Sequence, residues 1–226
     1  MILTLGAATI SCADSKKQET NYADLTKQYA KVQLTSDISH LSDNEKQMLD
    51  YLYEIGNIMD DIFWTQQLGS DKETFLNSIE DKDARLFAEI NYGPWNHFDN
   101  LASFLPEYGE MPAGAGFYPV DMTKEEFEAW DNPDKTSQYT LIKRDENGNL
   151  QAVWFHDAYA EQINRVAELL NKAADLAGDK EFADYLRLRA KAVLTDDYFE
   201  SDMAWMDVRN NNVDFVVGPI ENYVDA

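Results

Sequence analysis

A chain of 226 residues, 44% hydrophobic and 12% aromatic, carries enough apolar material to bury a core and is not a disordered polymer. Its 42 acidic against 19 basic residues leave a net charge of −23, which repels nucleic-acid phosphates and anionic lipid surfaces and attracts cations. Nucleic-acid binding is excluded on that ground, and the single cysteine excludes an intrachain disulfide.

The first twelve residues, MILTLGAATISC, form a short apolar run that ends in small residues and Cys12. A lone cysteine at that place resembles a bacterial lipoprotein signal, in which the thiol is acylated after cleavage. The alternative is a frayed terminus with a buried free thiol. No Lys or Arg precedes the run, so the expectation is that Met1 lies inside a longer signal. Residues 1–12 therefore read as a lipoprotein-type signal, 13–28 as a polar flexible tether, and 29–226 as the folded part. The expected location is the cell envelope, on the periplasmic or outer-membrane surface, with membrane contact only through the lipid anchor on Cys12. No other segment approaches the roughly 18 apolar residues of a membrane span.

From Leu41 the apolar spacing is helical. Met48, Leu49, Leu52, Ile55, Ile58, Met59, Ile62 and Phe63 recur at three and four residues, Ser42 with Glu45 predicts a capping box, and Gly69 a stop. Ser70 with Glu73 predicts the start of a second helix, carrying Phe75, Leu76 and Ile79. A third carries Leu86, Phe87 and Ile90 inward. Residues 92–121 concentrate Gly, Pro and aromatics and predict a long irregular segment of the kind that wraps a core or lines a site. Thr123 and Glu126 predict a brief helix through Trp130. YTLIKRDENGNLQAVWF predicts a hairpin about an Asn147-Gly148 turn.

Two further helices follow. One has Ile163, Val166, Leu169, Leu170, Ala173 and Leu176 inward and Gly178 as its stop; the other has Phe182, Tyr185, Leu186 and Val193 inward. A shorter helix in DDYFESDMAWMDV and a strand over Val213 to Val217 complete the reading. The fold class is α+β, helix-rich with a small mixed β-core and one hairpin.

Chemistry-bearing motifs are sparse. His40, His97 and His156 share no metal-ligand spacing, and each reads as a surface or turn residue. No phosphate loop, Gly-x-Ser-x-Gly or Gly-x-Gly-x-x-Gly is present. Glu200 and Asp207 beside Trp205 present two acids on one helix, but in a chain with 42 acids such neighbours arise by chance. The C-terminal GPIENYVDA is more specific. After Gly218 and Pro219 interrupt pairing, an extended backbone sends Glu221 and Tyr223 to one side and Asn222 to the other. A carboxylate there suits an ammonium group and a phenol suits a developing oxyanion; the bland alternative is a solvated Glu and a packed Tyr.

GPIENYVDA resembles the Gly-x-Ile-Glu-Ser-Tyr-x-Asp-Pro element of the dipeptidyl-peptidase III family of zinc metallopeptidases. LSDNEKQMLDYLYEIGNIMDDIFW, INYGPWNHFDN, PAGAGFYPVDMTKEEFEAW and VLTDDYFESDMAWMD are similar to its bacterial branch, so the likeness runs from about Tyr29 to Ala226. Asn96-His97 stands where that branch has Asp-Arg, Asn222 where Ser is commoner, and Ala226 where Pro often follows.

The resemblance implies most of the lower lobe of a two-lobed exopeptidase that removes dipeptides from peptide N-termini. It implies Glu221 and Asn222 in substrate binding, with Glu221 on the peptide's ammonium, and Tyr223 in catalysis at the scissile carbonyl. The partners are the peptide substrate and a zinc-binding lobe of the same full-length chain. It also implies zinc in that parent, held by an H-E-x-x-G-H motif and a later Glu that this sequence lacks, so that this portion alone is inactive and holds no metal. The competing reading is a non-catalytic surface lipoprotein that binds peptides or glycans.

Overall fold

The computed structural model describes residues 20–219. A short helix, α1 (Tyr22–Thr26), precedes the 26-residue α2 (Asp43–Leu68), which at 1.5 Å per residue is about 39 Å long. Ser42 and Glu45 form the expected capping box, and Gly69 ends α2 in the left-handed conformation with φ of 75°.

Two short helices follow, α3 (Lys72–Ser78) and α4 (Lys82–Ile90). The N-cap of α3 is Asp71 rather than Ser70. The turn after Gly69 consumes Ser70, and the Asp71 carboxylate accepts from the Thr74 N–H at 2.7 Å. Within α4 the inward residues are Ala84, Phe87 and Ala88, while Leu86 is exposed. Small residues on that face let Tyr22, Leu25 and Tyr29 close over Phe87. The tether expected through residue 28 is therefore interrupted by α1, whose Tyr22 hydroxyl donates to the Phe104 carbonyl at 3.2 Å.

Residues 92–121 are irregular, as expected, apart from a two-residue antiparallel pair, β1 (Trp95–Asn96) with β2 (Ala102–Ser103), and one 3-10 turn at Pro106–Tyr108. The segment is stitched to its surroundings through backbone groups: Gly116 N–H donates to the Gln66 carbonyl at 2.7 Å and Ile142 N–H to the Phe117 carbonyl at 2.9 Å. Then come α5 (Lys124–Ala129), capped by Thr123, and the hairpin β3 (Thr140–Arg144) with β4 (Leu150–Trp154). The hairpin turn is longer than an Asn147-Gly148 pair. Asp145 opens it, accepting from the Asn147 and Asn149 N–H groups at 2.8 Å each, and Gly148 supplies the positive φ of 84°.

The last third is helical: α6 (Phe155–Ala158), α7 (Ala160–Leu176), α8 (Lys180–Val193) and α9 (Phe199–Asp207). Helix α7 stops at Ala177 in an extended conformation, one residue ahead of the expected Gly178. The fold is α+β and helix-rich. Among the described residues its two sheets are both two-stranded and antiparallel.

Among the described residues, apolar side chains gather in two clusters. The larger joins Met48, Leu52, Ile55 and Ile62 of α2 to the inner faces of α7 and α8. The smaller surrounds Trp64, Phe75, Phe87 and Phe104. Helix α2 runs through both. Phe63, expected inward, is exposed and packs edge-on against Tyr92, while Trp64 takes the buried position.

Candidate functional site

Helices α8 and α9 lead the chain into residues 211–219, directly before the segment that carries Glu221, Asn222 and Tyr223. Those three residues, like Cys12, lie outside the described residues. What the structure describes is therefore the approach to the motif.

Residues 213–217 have the alternation of a strand. Val213 and Phe215 pack on the large cluster and Val217 is buried within it, while Asp214 and Val216 face outward. The segment is nevertheless no ladder strand. Among the described residues none of its backbone N–H groups pairs with another strand. Side chains hold it instead. The Tyr185 hydroxyl donates to the Phe215 carbonyl at 2.9 Å, Asn211 Nδ2 to the Val213 carbonyl at 2.7 Å, and Trp205 Nε1 to Asp214 Oδ1 at 3.0 Å. Asn212 Nδ2 donates to Glu45 Oε1 at 2.9 Å, so the capping carboxylate of α2 also anchors this segment. Three hydrogen bonds to one carboxylate, two from Ser42 and one from Asn212, hold the Glu45 carboxyl below its ordinary range.

Beneath the Gly218 turn sits Arg189, only 2% exposed. Its guanidinium lies over the rings of Tyr185 at 5.5 Å and Tyr198 at 5.2 Å and pairs with Asp202. Arg189 Nε is buried without a hydrogen-bond partner among the described residues. Gly218, at φ of 135°, rests on this stack; a Cβ there would lie 3.0 Å from the Tyr198 ring. A cavity of about 320 Å³ opens alongside, between Tyr139, Arg189, Tyr198, Trp205, Val216 and Pro219. Burial, with Asp196 nearby, drives the Tyr198 hydroxyl well above the ordinary phenol range, so it remains a neutral wall.

Sequence reasoning passed over Arg189. The signal was present: Phe182, Tyr185, Leu186, Ala190 and Val193 mark the buried stripe of α8, and an arginine at 189 falls on it. Sequence reasoning likewise missed Asp196, in the left-handed region at φ of 54°. Its buried carboxylate accepts from the His156 N–H at 3.1 Å and meets His156 Nδ1 at 2.7 Å, capping α6 from across the fold. His97 meets buried Gln67 at 3.2 Å, and His40 is exposed. Glu200 and Asp207 stand exposed on α9, and Lys191 pairs with Glu200 at 3.2 Å.

Among the described residues no three His, Cys, Asp or Glu side chains come together as a metal site. These residues do not fit the zinc that the family resemblance implies.

Two solved structures share this fold. Against a dipeptidyl-peptidase III from Caldithrix abyssi the TM-score is 0.76, with 35% sequence identity over 83% of this chain and 38% of that one. The chain is dipeptidyl-peptidase III-like over one part of that fold. A dipeptidyl-peptidase III from Corallococcus sp. strain EGB gives the same TM-score of 0.76 at 28% identity, over 83% of this chain and 37% of that one. A curated relative, Nudix hydrolase 3 of Arabidopsis thaliana, is 28% identical over 258 aligned positions, covering 87% of this chain and 33% of the relative. The chain thus spans about a third of that protein, whose name carries no activity over to the dipeptidyl-peptidase III-like fold described here. No protein-family model matches the chain.

Proposed function

We propose that this chain is the peptide-docking portion of a zinc-dependent exopeptidase that releases dipeptides from peptide N-termini. The observation that carries the reading is the fold likeness to dipeptidyl-peptidase III at a TM-score of 0.76 and 35% identity. The side-chain anchors at Tyr185, Trp205 and Asn212 support it, because they hold the approach to the GPIENY motif in one extended course. In this proposal the Glu221 carboxylate holds the substrate's ammonium group and Asn222 adds a polar contact. The Tyr223 hydroxyl donates to the carbonyl oxygen as negative charge builds on it. Zinc, when bound in the longer parent, supplies Lewis-acid polarisation and an activated water. Docking and hydrogen-bond donation are what this chain contributes.

The test has two arms. A washed, untagged preparation of residues 13–226 is expected to retain no stoichiometric zinc and to release no dipeptides. In a full-length parent, Tyr223→Phe is expected to lower kcat by about 10²–10³ with little change in KM, the range for one oxyanion donor. Stoichiometric zinc in the short chain, or an unchanged kcat, overturns the reading.

A further inference from the structure

Helix α9 is half dressed. Tyr198, Ser201, Ala204 and Val208 turn it toward α8, and the Ser201 hydroxyl donates to the Tyr198 carbonyl at 2.8 Å. On its other side Phe199 is 74% exposed, Met203 48% and Met206 56%. Their spacing of four and then three residues puts all three on one stripe two turns long. Trp205 and Val216, both exposed, continue it around the cavity beside Met206. Single exposed apolar residues are ordinary on a protein surface; a joined stripe is the kind of feature that marks a contact surface.

We infer that this stripe, together with the open side of residues 213–217, is the seam that the remaining polypeptide of a dipeptidyl-peptidase III-like fold covers. The inference rests on the function proposed above. Three observations select that occupant. Both solved neighbours contain well over half their length outside the matched part, at 38% and 37% coverage, so polypeptide of the right kind exists to fill the seam. The extended segment at the seam's edge has a strand's alternation and, among the described residues, no strand partner; an added strand would complete it. A net charge of −23 opposes a second copy of this chain on the same face.

Met203 and Met206 make the seam measurable, because sulfoxide formation follows exposure. Among the described methionines these two alone are exposed, whereas Met59 is half-buried. The chain is compared with a chimera in which the unmatched polypeptide of the Caldithrix abyssi protein follows residue 226. A second chimera, built on the Corallococcus sequence, guards against one graft that fails to fold. Peroxide oxidation of Met203 and Met206, read by mass spectrometry, is expected to slow by about tenfold in at least one chimera while Met59 changes little. Combining Phe199→Glu with Met203→Glu is expected to leave the Tm of the chain alone nearly unchanged and to lower that of the protected chimera by about 5 °C or more.

Equal oxidation of chain and both chimeras overturns the seam. So does protection already present in the chain alone that strengthens with protein concentration, which would mark a second copy as the occupant. Peptidase activity separates the two readings: a protected but inactive chimera sinks the proposed function and keeps the seam, and an active, unprotected one does the reverse.

Discussion

Two glycines of the same chain respond to a methyl group in opposite ways. Gly116 crosses the end of α2 so closely that a Cβ would lie 2.7 Å from the Thr65 carbonyl oxygen and 2.8 Å from that of Gln66. Both obstacles are backbone and neither swings aside, so Gly116→Ala is expected to cost about 2 kcal/mol. Gly56, on the exposed side of α2, has nothing within 4 Å of its own Cβ position. There alanine removes the backbone entropy that glycine loses in a helix, and Gly56→Ala is expected to stabilise by about 0.5–1 kcal/mol. Urea titration of both variants checks the pair; a neutral Gly116→Ala would mean that the 112–118 loop yields. Arg189 makes a related point about charge. It persists on a buried stripe because two tyrosine faces and Asp202 replace the water it gives up.

At the scale of elements, the capping box of α2 joins secondary structure to the candidate site. Glu45 is held below its ordinary carboxyl value of 4.5, first by the Ser42 N–H, then by the Ser42 hydroxyl and Asn212. A depressed carboxyl stabilises the fold above its unfolded value and loses that contribution as pH falls through the lower folded value. Glu45→Gln is therefore expected to cost about 1 kcal/mol near neutral pH, with the difference from wild type closing once pH drops below the ordinary value. A constant gap across pH would show that the charge plays no part. The serine and glutamate three residues apart made this cap readable from sequence, as helical spacing did for α2, α7 and α8. What stayed hidden was tertiary. Asn212 as the third partner of Glu45 lies 167 residues away, and no local pattern encodes that distance. Leu86 and Phe63 are exposed where helical spacing predicts burial, because spacing alone cannot say which of two adjacent apolar residues a neighbouring element covers. The strand read at 213–217 has its alternation without its ladder, since alternation reports burial and pairing depends on a partner elsewhere. The resemblance in GPIENY and its companion motifs led to the correct fold, while Glu221, Asn222 and Tyr223 themselves fall outside the described residues.

At the scale of the molecule, the two apolar clusters of the described residues share one spine. Phe87 is fully buried in the smaller, edge-on to Phe104 with centroids 4.6 Å apart, and Tyr29 closes over it at 6.0 Å. Phe87→Ala is expected to cost about 3–5 kcal/mol locally. In hydrogen exchange the loss of protection should appear in α1, α4 and residues 95–105, while α7 and α8 keep theirs. Parallel loss in α7 and α8 would instead make the two clusters one cooperative unit, coupled through α2. The tie between Glu45 and Asn212 also has a meaning in time. A ribosome adding about 5–20 residues per second needs on the order of 8–30 s to travel from one to the other. The capping box of α2 closes within its own first turn, but its carboxylate waits for its last donor until the approach to GPIENY has emerged to meet it.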